Sequence, residues 1–205
     1  MTLPRGLYGI ADAGFGDPVA LGEALARAGV AVVQLRAKGV ERARVLAWAQ
    51  SLRSALPDVV LIANDDPTIA RDAGLDGVHL GDDDPSIEEA RKIVGHSILI
   101  GRSTRSLDAV RAYQHADYLG FGPVFATVTR VGSPEPRGVG LLAEAVRSSA
   151  IPIVAIGGID PTNVHEVEAT GAHGWAVVSA LLRAPNLGHT VSKMSAGGRG
   201  RHRER

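Results

Sequence analysis

The sequence predicts an α/β chain folded as one compact (β/α)8, or TIM, barrel, and three observations carry that prediction. Eight short apolar runs recur along the 205 residues. Segments with helical spacing separate them, as in repeated strand–helix units. Polar and charged groups gather directly after each run, which is where a barrel of this kind places its active site.

The runs are Leu7–Ile10, Ala31–Leu35, Val59–Ile62, Gly77–Leu80, Ile98–Ile100, Tyr118–Phe121, Ile151–Ile156 and Trp175–Val178. They are continuous rather than alternating, as expected of parallel strands covered on both faces. Between them, Leu21, Leu25 and Ala28 form one helical stripe, and Val45, Trp48, Leu52 and Leu56 another. Ile87, Ala90 and Val94 repeat the spacing, as do Leu107 with Val110 and Val164 with Val167. Asp84-Pro85-Ser86 and Asp160-Pro161 each place a proline early in a helix. Gly29, Gly74, Gly95 and Gly171 fall where helices should stop. The last helix, Leu187–Met194, is short and carries Gly188, so the barrel is expected to close on a shortened or irregular element. An open doubly wound sheet is the alternative arrangement of the same units. Residues 1–192 are expected to form the barrel domain, and 193–205 a basic, unstructured tail.

Composition narrows the function classes. With 45% hydrophobic and 21% charged residues, the chain reads as an ordinary globular protein. It has no cysteine, which excludes disulfides, zinc–thiolate sites and thiol nucleophiles. No apolar run approaches the roughly 20 residues that span a bilayer. Residues 1–6 lack the apolar stretch of a signal peptide, so a cytoplasmic location is expected. Of 22 basic and 22 acidic residues, five basic and one acidic lie in 193–205, leaving a body of 17 against 21. The tail is read as a solvated terminus rather than a nucleic-acid arm. The expected partners are small molecules, with no nucleic acid and no membrane; a homodimer is compatible with the sequence.

The strongest local signal is acidic. Asn64-Asp65-Asp66 follows the third run and Asp82-Asp83-Asp84 the fourth. Asp65 and Asp84 are 19 residues apart, about one strand–helix unit, so neighbouring parallel strands would bring both to one end of the sheet. Clustered carboxylates repel, and a hard divalent cation such as Mg²⁺ relieves that repulsion. Helix N-capping is the competing role for both acids. Asp66, Asp82 and Asp83 are read as solvated or supporting neighbours. After the second run, Gln34, Arg36 and Lys38 share one side of an extended segment; two cations there suit an oligophosphate. The competing role is a rim salt bridge to Glu41 or Asp65.

Ser103, Thr104 and Arg105 follow the fifth run. Thr127-Val128-Thr129-Arg130 lies in a long Gly- and Pro-containing loop, Gly122 to Gly140, a candidate lid. Gly157-Gly158-Ile159 after the seventh run and Val178-Ser179 after the eighth suit a backbone phosphate cup. Two anion sites facing each other suit an enzyme that joins two phosphorylated small molecules. His79, inside a strand, and His115 and His173, at helix ends, are read as structural. No Ser–His–Asp arrangement is evident.

Seven stretches, in order, resemble the thiamine phosphate synthase family. They are Val33-Gln34-Leu35-Arg36-Ala37-Lys38, Ala63-Asn64-Asp65-Asp66, Gly77-Val78-His79-Leu80-Gly81, Ile100-Gly101-Arg102-Ser103-Thr104, the stretch from Ala116 to Phe125, Ile153–Ile159, and Val177-Val178-Ser179-Ala180. The resemblance covers roughly residues 6–183. It implies a transferase of thiamine biosynthesis. Such enzymes condense 4-amino-2-methyl-5-(diphosphooxymethyl)pyrimidine with hydroxyethylthiazole phosphate, or its carboxylate form, releasing thiamine phosphate and diphosphate. The implied mechanism is dissociative: diphosphate leaves first, and the thiazole nitrogen captures the pyrimidine cation.

By resemblance, Gln34, Arg36, Lys38, Asn64 and Ser103 bind the pyrimidine diphosphate, with Leu35 and Ala37 in the same binding stretch. Asp65 and Asp84 hold Mg²⁺. Thr127, Val128, Thr129, Arg130, Gly158, Val178 and Ser179 bind the thiazole phosphate side. Arg36, Lys38, Ser103 and Arg130 carry the catalytic electrostatics. The chain departs from the family pattern at Ala37, where an acidic residue is usual. In the loop, Arg130 replaces a lysine, and Ala126 and Val128 replace prolines. Arg102 and Arg137-Gly138-Val139 resemble the related thiazole tautomerases. That branch relies on a histidine two residues after Ser103, where this chain has Arg105, and typically lacks the paired acids. Tautomerase therefore ranks second, and a non-catalytic phosphometabolite-binding barrel third.

Overall fold

In the computed structural model, which describes residues 1–127 and 135–195, eight parallel strands close into a barrel in sequence order. They are β1 (Gly6–Asp12), β2 (Val32–Arg36), β3 (Val60–Asn64), β4 (Gly77–Leu80), β5 (Leu99–Thr104), β6 (Tyr118–Phe121), β7 (Ile153–Ile156) and β8 (Gly174–Val177). The pairing of β1 with β8, from Gly6↔Gly174 to Gly9↔Val177, closes the cylinder and excludes the open sheet. β1 is longer than its apolar run because it continues to Asp12, which lies opposite Arg36 in the ladder.

The helices outside the barrel are α1 (Pro18–Arg27), α2 (Arg42–Ala55), α3 (Pro67–Asp72), α4 (Ile87–Val94), α5 (Leu107–Ala112), α6 (Gly138–Ser148), α7 (Val164–Ala169), α8 (Ser179–Leu182) and α9 (Leu187–Ser195). The closing element is irregular, as expected: one turn of α8, a break, then α9. Met194, near the end of α9, is fully buried, so the ordered chain runs past 192. Residues 196–205, the greater part of the expected tail, lie outside the described residues. All four predicted stop glycines have positive φ, a conformation that other residues adopt only with strain.

Strand alternation divides the core in two. Tyr8, Ile10, Val32, Ile62, Leu99, Tyr118, Val154 and Ala176 pack together inside the barrel. Val33, Leu35, Leu61, Ala63, Val78, Leu80 and Ile100 face the helices in a larger outer cluster. Leu3 joins the inner set, and its carbonyl lies 2.8 Å from His173 Nε2. Side chains thus fill the N-terminal end of the barrel, as in barrels of this class. What stays open is the C-terminal end, where the strand-following loops meet.

Candidate active site

A cavity of about 320 Å³ occupies that open end. Its walls include Gln34, Arg36, Lys38, Asn64, Asp65, Asp84, Ser103, Thr127, Gly158, Val178 and Ser179, so one cavity collects the predicted site from seven strand ends, β2 to β8. Leu35 and Ala37 are not among its walls. The Leu35 side chain packs instead into the outer core, because strand alternation turns it away from Gln34 and Arg36. Val128, Thr129 and Arg130 lie outside the described residues.

Local chemistry decides which acids remain available. The N-cap of α3 is Asp66, whose carboxylate accepts from the Thr68 N–H at 2.8 Å. The N-cap of α4 is Ser86, in a capping box with Glu89. Pro85 therefore precedes the cap instead of starting the helix, a correction to the proline-first expectation at that site. Pro161 likewise falls in a turn before α7, whose N-cap is Asn163. Neither Asp65 nor Asp84 caps a helix. Asp65 adopts φ 68°, the only positive φ among the described non-glycine residues. Its amide is held by the His79 carbonyl at 2.9 Å, so the left-handed turn after β3 is fixed by β4.

Asp84 turns back to accept from the Gly81 N–H at 2.6 Å. Burial raises its carboxyl above the ordinary carboxylate value. The Gly81 N–H opposes that shift, the adjoining Asp65 carboxyl adds to it, and the Lys38 ammonium offsets it. Two carboxyl groups touching beside one ammonium is an arrangement that calls for a further cation. Among the described residues no group of three or more His, Asp or Glu could ligate a metal. Two carboxylates nevertheless meet the requirement of a hard divalent ion that takes its remaining ligands from phosphate and water. Asp65 and Asp84 are the residues that could hold it.

The cations are placed by further pairs. Lys38 is ion-paired with Asp65, one of the two partners weighed from sequence; the other, Glu41, instead caps α2 through the Ala43 N–H. Arg36 pairs with Asp12, which is 5% exposed and was not singled out in the sequence. Asp12 also accepts from the Gly14 N–H at 2.8 Å, tying the β2 cation to the β1 loop. Gln34, 3% exposed, donates to Asn64 Oδ1 at 3.3 Å.

Beneath these groups runs a polar chain, buried at its tyrosine end and part-buried where His79 and Ser103 line the cavity. The Tyr8 and Tyr118 hydroxyls are 3.2 Å apart, Tyr118 lies 3.1 Å from His79 Nδ1, and His79 Nε2 lies 3.0 Å from Ser103 Oγ. Burial lowers the His79 pKa to about 4, with Asp84 opposing and Arg102 reinforcing the shift. The imidazole is thus neutral near pH 7. Burial likewise keeps both tyrosines protonated. His79 keeps the structural role read from sequence and also lines the cavity, where it orients Ser103. Period-two parity places Gly77 and His79 inward and Val78 and Leu80 outward, a signal present in the sequence but hidden in an apolar run.

On the opposite side, the β6 and β7 loops lock together. A Cβ on Gly158, at φ 64°, would lie 2.3 Å from the Ala126 carbonyl oxygen, so only glycine allows this approach. Asn163 Nδ2 donates to the Gly158 carbonyl at 2.9 Å. The result is a polar, backbone-rich wall facing the cationic, acidic one. Asp82, read as a supporting neighbour, is ion-paired with Arg105 on the rim.

The sequence matches the thiamine monophosphate synthase family model over residues 7–181. A thiamine-phosphate synthase of Anaeromyxobacter dehalogenans (strain 2CP-C) is 40% identical over 194 residues, 93% of this chain and 86% of that protein. One of Herpetosiphon aurantiacus is 42% identical, covering 91% of this chain and 93% of the other. Among solved structures, the thiamine phosphate pyrophosphorylase of Pyrococcus furiosus superposes with a TM-score of 0.85 at 32% identity, covering 93% of both chains. With this match running the length of the barrel that carries the cavity, the chain belongs to the thiamine monophosphate synthase family.

Proposed function

We propose that this barrel forms thiamine phosphate by joining the pyrimidine diphosphate to hydroxyethylthiazole phosphate with release of diphosphate, or to its carboxylate form with release of diphosphate and carbon dioxide. The observation that carries the reading is the convergence of Asp65, Asp84, Arg36 and Lys38 at one side of a single cavity, opposite Gly158 and Ser179. Gln34 and Asn64 hold the aminopyrimidine end, and Arg36, Lys38 and Ser103 bind the diphosphate. His79 keeps the Ser103 hydroxyl aimed into the cavity from below. Thr127, Gly158, Val178 and Ser179 seat the thiazole phosphate, with Thr129 and Arg130 as the proposed loop contribution.

Breaking the carbon–oxygen bond moves negative charge onto the diphosphate. Arg36 and Lys38 meet that charge with preorganised donors, and the protein otherwise supplies position. No general base is required, which agrees with a His79 whose two ring nitrogens are engaged by Tyr118 and Ser103. Mg²⁺ held by Asp65 and Asp84 supplies Lewis-acid stabilisation of the leaving group when bound.

The tautomerase reading is not favoured. Arg105, where that branch carries histidine, is engaged by Asp82, and the acid pair that branch typically lacks is present. The test is turnover with both substrates and Mg²⁺. Formation of thiamine phosphate with equimolar diphosphate, abolished by chelator, is expected; turnover of the thiazole carboxylate alone, without metal, would replace this reading with the tautomerase one.

A further inference from the structure

A second cavity, about 470 Å³, adjoins the first at the barrel mouth, where the loops after β1 and β2 meet the α8–α9 connection. Its walls include Asp12, Phe15, Arg36, Lys38, Val40 and Arg183. Three of these are cations, and Asp12 is the one acid among them. The Asp12 carboxylate is already committed to Arg36 and to the Gly14 N–H. Lys38 is paired with Asp65. Arg183 has no carboxylate partner among the described residues; its guanidinium instead lies over the Phe15 ring, 5.1 Å from the centroid.

That stacking is built by the fold. Arg183 terminates α8, four residues after Ser179. Phe15 is set by the β1 turn, in which its N–H donates to the Asp12 carbonyl at 2.9 Å. Asp12 therefore organises the inner cation through its carboxylate and the outer aromatic platform through its backbone. An arginine stacked on a ring keeps its in-plane N–H groups free for an anion. Because Arg36 and Lys38 line both cavities, an oligophosphate can move outward while keeping both of them. It exchanges Asn64 and Ser103, which line only the inner cavity, for Arg183, which lines only the outer one.

We propose that Arg183 on Phe15, with Arg36 and Lys38, forms an outer anion site that receives inorganic diphosphate as it leaves the inner site. The assignment of diphosphate as a product rests on the synthase reading, whereas the anion site itself rests on the cavity. The ligand class is an oligophosphate, because Arg36 and Lys38 are shared with the inner cavity proposed to hold the diphosphate, and Arg183 extends that cationic row outward.

Calorimetric titration of the full chain with inorganic diphosphate in the presence of Mg²⁺ tests this without turnover. Arg183→Ala should weaken binding about tenfold, the loss of one charge-assisted hydrogen bond. Arg183→Lys should recover part of that loss, and Phe15→Leu should weaken binding less than Arg183→Ala. The diphosphate product-inhibition constant should rise in parallel. Isotherms of Arg183→Ala and wild type that superimpose would overturn the proposal, as would inorganic monophosphate binding as tightly as diphosphate. The two readings fail separately. A wild-type chain that forms no thiamine phosphate, with Arg183→Ala still impaired in diphosphate binding, removes the synthase reading alone. Turnover with superimposed isotherms removes the outer site alone.

Discussion

The protein itself only partly satisfies the charge of Asp84. Burial and the Asp65 carboxyl both disfavour its charge, and only the Gly81 N–H and Lys38 oppose them. Asp84→Asn should therefore leave the thermal midpoint near wild type while lowering turnover about 100-fold or more, as expected when a metal-held leaving group loses a ligand. Wild-type turnover in that variant would remove Asp84 from the metal site. Arg102 poses the complementary problem. It is 7% exposed, its Nε has no partner, and it reaches the Pro85 carbonyl at 3.1 Å and the Tyr113 ring at 5.2 Å. A buried cation held by one carbonyl contributes little stability, yet here it anchors the turn that follows Asp84. Arg102→Met should leave the unfolding free energy within about 1 kcal/mol of wild type or raise it. The same variant should weaken Mg²⁺-dependent diphosphate binding, read by calorimetry; a large loss of stability with unchanged binding would assign Arg102 to packing alone.

At the scale of elements, the polar chain depends on small residues in neighbouring strands. A Cβ at Gly101 would sit 2.1 Å from Tyr118 Cζ, and one at Gly120 2.9 Å from His79 Cε1. β5 and β6 thus leave the space in which Tyr118 and His79 meet. Gly101→Ala should cost roughly 1–3 kcal/mol by overpacking. By displacing Tyr118 it should also lower turnover, to be checked by denaturant unfolding alongside steady-state rates. This layer was hidden in the sequence because Gly101 falls just beyond the fifth apolar run while Tyr118 and Gly120 sit inside the sixth, and their inward parity emerges only from pairing such as Gly101↔Tyr118. The strand ends were legible because Arg36, Lys38, Asp65 and Asp84 follow apolar runs at the spacing of whole strand–helix units. Capping was the harder problem. Adjacent aspartates at 65 and 66 have the same local propensity, and only the left-handed turn at Asp65 decides that Asp66 caps α3. α8, at four residues, is too short to show a helical period. Asp12 escaped notice because its partner Arg36 is 24 residues away and one acid carries no pattern.

Across the whole molecule, placing a histidine inside a closed barrel links folding to pH. The His79 pKa is about 4 in the folded chain, against an ordinary value of 6.5, and burial is the main cause. The folded state therefore excludes a proton that the unfolded chain accepts. The associated stability is complete above about pH 6.5 and is lost as pH falls toward 4. A shift of that size corresponds to about 3 kcal/mol, a large share of the stability of an ordinary domain. Denaturant unfolding at pH 7 and pH 4.5 should show this loss in wild type. In His79→Gln, which keeps a polar side chain but cannot take up the proton, the difference between the two pH values should shrink by most of that amount. Carboxylates remote from His79 contribute equally to both proteins and cancel in the comparison, whereas Asp84, whose charge opposes the His79 shift, is compared in an Asp84→Asn background. Equal pH dependence in the two proteins would mean that the barrel opens enough to hydrate His79 when it is protonated. The Tyr8–Tyr118–His79–Ser103 chain would then be a wet, adjustable floor for the active site instead of a fixed one.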